Sequence, residues 1–379
     1  MTISFQEAEL FGLPHSYYTL IARSYLRKQH WTVHEVSSRR PEFGREIVPA
    51  IGRGIIPVLK LADGTLIQDS LDIIETGETL LPRLPAMPQG PKQQLVARVF
   101  FLYGSQALLK PAMHYRWSYY EDQKAFLDHA FGLADGSAPE KIMDRMKSYL
   151  PVLGVTPETI PHIETSFETL LGLLDAHFAK YPYLLGGQPS VGDYGMLGPL
   201  CAHLGRDPVP EMLMKRLAPN VYRWTERMNC AGPDMPEYEI EEGFLFGDEV
   251  PETLYPVLAF IAEDYGPELT DRIACLRAHQ ANEAVSDGAP VSEKPAQRAV
   301  GFAPVRYRGV TVQMAVQPYL LYCQRRIEAA YAQLNNADKA WADDILLFGE
   351  MRSAIDPQLS FTVGRLNNIE VWEAVSGTG

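Results

Sequence analysis

A cluster of prolines, Pro82-Arg83-Leu84-Pro85-Ala86-Met87-Pro88-Gln89-Gly90-Pro91, divides the chain into two kinds of pattern. Proline fixes φ and lacks an N–H, so a stretch like this continues neither a helix nor a strand ladder and reads as a linker between domains. Upstream, strand and helix alternate. Glu7 to Gly12 reads as a strand, Tyr18 to Gln29 as a helix with Ala22, Tyr25 and Leu26 at helical spacing, and Thr32 to Val36 as a second strand, which makes one βαβ unit. A short helical stretch, Glu42 to Ile51, follows. Pro57-Val58-Leu59-Lys60-Leu61 and Thr65-Leu66-Ile67 then flank Asp63-Gly64, a hairpin signal, and a helix starts near Asp69-Ser70, which are good N-cap residues. Pro57 opens the third strand, where the ladder has barely begun. The order βαβ-α-ββ-α predicts a small mixed sheet of thioredoxin-like arrangement. Downstream the periodicity is helical, most clearly as a stripe of Ile163, Phe167, Leu170, Leu171, Leu174 and Phe178.

At 379 residues the chain exceeds the roughly 250–300 at which one core stops growing, which agrees with several domains. With 46% hydrophobic and 21% charged residues it reads as an ordinary folded protein. No apolar run reaches membrane-spanning length, and Glu7 and Glu9 fall where a secretory leader would be apolar. Cys201, Cys230, Cys275 and Cys323 form no CxxC pair, so neither a disulfide framework nor a zinc knuckle is expected, and a reducing cytoplasm is the simplest compartment. A net charge of -13 argues against a nucleic-acid partner. Twelve of the acidic residues lie between Ala231 and Asp271 with no Lys or Arg among them, a solvated surface or a dock for a basic partner.

Four motifs in order resemble the cytosolic glutathione transferases over residues 5–230. Ile55-Ile56-Pro57-Val58-Leu59 is similar to the family's (V/I)PxL segment, and Gln68-Asp69-Ser70-Leu71-Asp72-Ile73 to its (E/D)SxxI segment. Leu10 to Leu26 resembles the first strand, active-site turn and first helix. Ser190-Val191-Gly192-Asp193-Tyr194 resembles the family's S-x-x-D capping box, behind Tyr183-Leu184-Leu185-Gly186-Gly187. The resemblance implies an α+β thioredoxin-like domain over residues 1–81, an all-α glutathione-transferase helical domain over 91–230, glutathione as co-substrate, and a homodimer.

It also implies site residues. A cis Ile56-Pro57 bond would turn the Ile56 N–H and C=O toward the cysteinyl part of glutathione, although an ordinary trans proline at a strand end fits the spacing equally. Ser70 would hold the γ-glutamyl carboxylate at a helix N-terminus and Asp69 its amine, a role compatible with plain capping. Arg53, with Arg39 or Arg40 behind it, would neutralise the glycine carboxylate, or would be solvated surface. Within Leu13-Pro14-His15-Ser16-Tyr17-Tyr18, the hydroxyl that favours the thiolate falls at Ser16, or at Tyr17 if the register is one shorter. No cysteine precedes Cys201, which counts against the thiol-exchanging branch of the family. His15 reads as a base or as a structural histidine. Met113 to Tyr120, with Tyr115, Arg116, Trp117 and Tyr119, would form an apolar wall with one cation for a small aromatic electrophile, or else core between helices.

The remainder, residues 231–379, matches no motif of that family. It reads as a mostly α extension with helices over Pro251–Tyr265 and Pro267–Ala284, a hairpin Phe302–Met314 turning at Arg308-Gly309, and a helix from Pro318 through Tyr319, Cys323, Ile327 and Tyr331. Ser286-Asp287-Gly288-Ala289-Pro290 through Glu293-Lys294-Pro295 reads as a surface loop. The stripe Leu254, Leu258, Ile261 and Tyr265 must be buried, which predicts that the extension packs on the helical domain and bears on the pocket and the dimer face. Two functions fit: a serine- or tyrosine-type glutathione transferase, or a non-catalytic protein of the same fold that binds a ligand or partner.

Overall fold

The computed structural model describes residues 7–80, 82–132, 140–292, 294 and 297–375, so Glu293 and Pro295 of the expected loop lie outside it. The first domain is built from β1 (Ala8–Gly12), α1 (Tyr17–Lys28), β2 (Val33–Ser37), α2 (Val48–Ile51), β3 (Val58–Lys60), β4 (Leu66–Gln68) and α3 (Ser70–Thr79). Its sheet has the order β2-β1-β3-β4, with β1 parallel to β2 and antiparallel to β3, and β3 antiparallel to β4. This is the expected thioredoxin-like arrangement. The connection at Asp63-Gly64 is wider than the two residues read from sequence. Leu61 N–H reaches the Thr65 carbonyl and the Asp63 carboxylate takes the Thr65 N–H, so the strands stop at Lys60 and resume at Leu66.

After the proline linker come α4 (Pro91–Leu102), α5 (Leu109–Trp117), α6 (Lys124–Phe131), α7 (Glu140–Lys147), α8 (Ile160–Phe178), α9 (Val191–Ala202), α10 (Pro208–Leu217) and α11 (Pro219–Asn229). The stripe on α8 is wholly buried. The capping box closes as read: Ser190 Oγ accepts from Asp193 N–H, and the Asp193 carboxylate accepts from Ser190 N–H. That carboxylate also takes the Leu184 N–H and the Trp224 indole, which pins the start of α9 to the loop before it. An added Cβ on Gly195 would lie 2.6 Å from the Phe101 Cα, so only glycine allows α9 so close to α4.

The extension contains α12 (Tyr255–Asn282), β5 (Gly301–Tyr307), β6 (Val310–Val316), α13 (Tyr319–Ala332), α14 (Asn336–Ile345), β7 (Phe361–Leu366) and β8 (Ile369–Ala374). Pro267 does not split α12 in two, as the sequence suggested, but sits inside one continuous helix. A second hairpin, β7–β8, stands where no strand was expected. The stripe Leu254, Leu258, Ile261 and Tyr265 is buried, in a single apolar cluster that also takes in Tyr25, Phe100, Trp224, Leu321 and Met351. The extension therefore shares one core with the helical domain, through α12 on α8 and α13 on α4. It also reaches the first domain, where Arg326 of α13 pairs with Glu75 of α3 at 2.6 Å. Seven of the twelve acidic residues of the tract are exposed, as a solvated surface would have them, while Glu268 meets Lys110 and Arg272, Asp264 meets Arg308, Asp271 meets Arg306, and Asp234 meets Arg223. Among the described residues no helix is long and apolar enough to cross a membrane, and no group of His, Cys, Asp and Glu is arranged to hold a metal ion.

Candidate functional site

Register brings the sequence-predicted residues to one end of the first sheet. Phe11 pairs with Val58, so the turn after β1, which carries His15, Ser16 and Tyr17, adjoins Ile56-Pro57. Val58 pairs with Gln68, and Asp69 N–H reaches the Pro57 carbonyl, so the start of α3 adjoins them as well. The Ile56-Pro57 bond is cis, and among the described residues no hydrogen bond is made by the Ile56 backbone. Asp69 is the N-cap of α3, its carboxylate accepting the Leu71 N–H at 2.8 Å. It holds φ at 107°, a region that non-glycine residues avoid and that is characteristic of sites where geometry serves a ligand. Ser70, the first helical residue, is buried.

The two candidate hydroxyls differ. Ser16 is half-buried and caps α1, its Oγ accepting the Thr19 N–H at 3.3 Å, so its own proton is left to donate elsewhere. Tyr17 is buried, and its hydroxyl donates to the Gly104 carbonyl. Burial, with Tyr18 beside it, holds the Tyr17 phenol well above its ordinary range. His15 is buried against Phe131, with ring centroids 4.4 Å apart. Burial first, then Arg116, lowers its pKa to about 3, so it is neutral at physiological pH and a feeble base.

Within the aromatic segment Met113 to Trp117 are buried, while Tyr119 and Tyr120 are half-buried. All five Arg116 N–H groups are committed, to both oxygens of Asp207, to the His203 ring, and to the His15 and Ala202 carbonyls. It is the buried counter-charge of Asp207 rather than a cation offered to a substrate. Tyr115 stacks on Tyr119 and tilts against Phe167, while Tyr119 donates to Glu164 at 2.6 Å. Trp117 packs with Phe131 between α5 and α6. Periodicity alone could not separate a pocket wall from core here, since both want the same residues.

Residues missed by the sequence reading stand over Arg53, Gln68 and Asp69. β7–β8 turns at Asn367-Asn368, both at positive φ as a two-residue hairpin turn requires. Asn368 Oδ1 accepts the Gln68 N–H at 2.9 Å, and its Nδ2 donates to the Leu66 carbonyl at 3.2 Å, so one carboxamide covers the edge of β4. Arg53 is almost fully buried: it pairs with Glu370 and donates to Gln68 Oε1 at 2.6 Å and to the Asn368 carbonyl at 2.9 Å. Arg365 lies 3.5 Å from Asp69 and 3.1 Å from Asp72, and the Tyr319 hydroxyl donates to Asp69 at 2.9 Å. Arg39, named behind Arg53, instead donates to the Phe131 carbonyl. Beside Arg298, Tyr319 and Glu370 lies a cavity of about 10 Å³, room for one water.

Comparison with known proteins places a family on part of the chain. Residues 157–227, from α8 into α11, match the glutathione S-transferase C-terminal domain. No curated protein matches. Similar solved structures include a glutathione S-transferase from Rhodospirillum rubrum F11, at 16% identity over 65% of this chain and 96% of that one, with a TM-score of 0.39. FzlA from C. crescentus has 16% identity over 65% and 96% of the two chains and a TM-score of 0.40. A Methylobacterium radiotolerans glutathione S-transferase in complex with glutathione sulfonate has 18% identity over 65% and 100%, with a TM-score of 0.38.

Proposed function

We propose, on the premise that residues 157–227 are a glutathione S-transferase C-terminal domain, that this chain is a glutathione-transferase-type protein whose glutathione cradle is Ile56, Pro57, Asp69, Ser70 and Arg53. The observation that carries this reading is their convergence at one sheet end. A carboxylate at φ 107° opens α3, a guanidinium lies beside it, and an unpaired backbone segment lies between that point and the Ser16 turn. An ammonium suits Asp69, a carboxylate suits Arg53 and the N-terminus of α3, and an extended peptide suits the Ile56 backbone. Ser16, with its proton free to donate, is the group that stabilises the thiolate, which then attacks a small hydrophobic, aromatic electrophile by conjugation, isomerisation or dehalogenation. A cytoplasmic setting, which keeps glutathione reduced, accords with this chemistry.

Calorimetric titration of the full chain with glutathione, followed by assay against aromatic halides and epoxides, tests the reading. Ser70→Ala should weaken binding by about 1–3 kcal/mol, and Ser16→Ala should lower kcat by roughly 10–1000-fold with affinity nearly intact. Equal affinity for wild type and Ser70→Ala would refute the cradle. If Tyr17→Phe rather than Ser16→Ala abolished turnover, Tyr17 would be the activating group.

A non-catalytic protein of this fold is the second reading, favoured by one observation: Arg53 and Asp69 already have partners from β7–β8 and α13. Binding of glutathione without turnover of any electrophile would establish it.

A further inference from the structure

The tip of β7–β8 carries the same kinds of group that the cradle is suited to receive. Arg365 sets a cation on Asp69, Glu370 sets a carboxylate on Arg53, and Asn368 sets an amide on the edge of β4. Glutathione carries an ammonium at one end, a carboxylate at each end and peptide amides between them. Glu370 therefore stands in for the glycine carboxylate, and Arg365 for the γ-glutamyl ammonium. In the register of the hairpin, Arg365 and Glu370 are directly opposite one another across the turn. One short ribbon thus spans both ends of the cradle.

The base and tip of this hairpin are held differently. Val363 and Trp372 near the base are buried, with Trp372 stacked on His279. Asn367 and Leu366 at the tip are exposed, and what binds the tip to the first domain is polar and ionic. Polar and ionic contacts can be replaced in kind by a ligand that carries the same groups, whereas buried apolar surface at the base has no such substitute. Between the two ends, the Ile56 backbone makes no hydrogen bond to the hairpin or to any other described residue. The middle of the cradle is thus free while its ends are filled.

We propose that the Arg365–Glu370 tip is a built-in occupant of the glutathione cradle, which glutathione must displace to bind. This rests on the cradle assignment above. The resting protein is closed, and its apparent affinity is the intrinsic affinity reduced by the small fraction in which the tip is lifted. Loosening the tip without touching the cradle should therefore tighten binding.

Asn368→Gly keeps the turn, since glycine accepts the φ of 65° at that position, and deletes both contacts to β4. Combined with Arg365→Gln, it also removes the cation from Asp69. Titrating full-length proteins with glutathione should show about threefold tighter binding for Asn368→Gly and tenfold or more for the double variant. In the wild type, saturating glutathione should speed hydrogen exchange at the amides of residues 365–370 while those of Val363 and Trp372 stay protected. Equal affinity in all three proteins with unchanged exchange at the tip would overturn the displacement proposal and leave the cradle assignment standing. If glutathione bound none of them, although their melting curves showed them folded, the cradle assignment itself would fall and this inference with it.

Discussion

Hairpin β5–β6 turns at Arg308-Gly309 and β7–β8 at Asn367-Asn368, each with both turn residues at positive φ, yet the two tips meet different kinds of surface. Arg308 reaches into the helical half, donating to Asp264 at 2.8 Å and to Ser166 Oγ at 3.1 Å. Tyr307 beside it is buried with Val155 and Ile163. Those partners have no other assignment, and the first tip completes a core. The second tip lands on Arg53 and Asp69, groups named from the sequence as candidates for a ligand, and on Gln68 beside them. The same local structure is thus a structural plug in one place and a competitor in the other, and what distinguishes them is whether the groups beneath have a second occupant available.

Truncation after Met228 removes both hairpins and exposes the apolar faces that α12 and α13 cover. Burial of Leu254, Leu258, Ile261 and Tyr265 alone stabilises by several kcal/mol at about 25 cal/mol per Å², a large part of a typical 5–15 kcal/mol. The expected result is an insoluble or unfolded product by circular dichroism; a soluble fragment with the parent melting temperature would show that neither hairpin is integral.

Under the second tip, Arg53→Met leaves Glu370 buried with only Arg298, 3.1 Å away, for a partner. Loss of one member of a buried pair costs about 3–5 kcal/mol, which thermal melts should show as a drop of roughly 6–20 °C. Adding Glu370→Gln should recover part of it. A loss under about 1 kcal/mol would mean that the tip does not seal the cradle.

Asp72 sharpens the comparison through pH. Burial, reinforced by the Asp69 charge, raises its pKa from 3.8 to about 7 against the pull of Arg365. A carboxyl held above its unfolded value keeps a proton that the unfolded chain releases. Its contribution is therefore fully present below about pH 4 and declines as pH rises to about 7. Between pH 4 and pH 8, the stabilities of wild type and Asp72→Asn should diverge by up to about 4 kcal/mol, roughly 3 pH units at about 1.36 kcal/mol each. Parallel curves would show that Asp72, beneath the second tip, does not titrate in this window.

At the first tip, Arg308→Ala should cost about 1–2 kcal/mol, since the arginine is partly exposed, and should leave glutathione affinity unchanged. A change in affinity there would erase the distinction between the two hairpins.

The first hairpin was legible because Arg308-Gly309 supplies a turn between two runs of alternating residues. The second was signalled as well, by Asn367-Asn368 between Phe361–Leu366 and Ile369–Ala374, but Gly364 interrupts the strand pattern. Ile56, Pro57, Asp69 and Ser70 were named because the motifs that resemble the glutathione transferases are short and local to one sheet end. Their occupancy was not, since Glu370 meets Arg53 across 317 residues, and no periodicity encodes a contact that distant. Met113 to Tyr120 failed as a pocket for the opposite reason: its composition is visible, but the partners that bury it, Asp207, Glu164 and Phe167, are supplied by other helices.

The Arg53–Glu370 pair also sets an order of events during synthesis. At roughly 5–20 residues per second, a ribosome takes about 15–60 s to travel from one partner to the other. For most of that interval, once α3 has followed Arg53 off the ribosome, every strand and helix of the first domain has been made but the carboxylate that closes over Arg53 has not. The nascent chain therefore passes through a period in which Arg53, Gln68 and Asp69 lie open to the surrounding pool of small molecules before the protein's own tip can cover them.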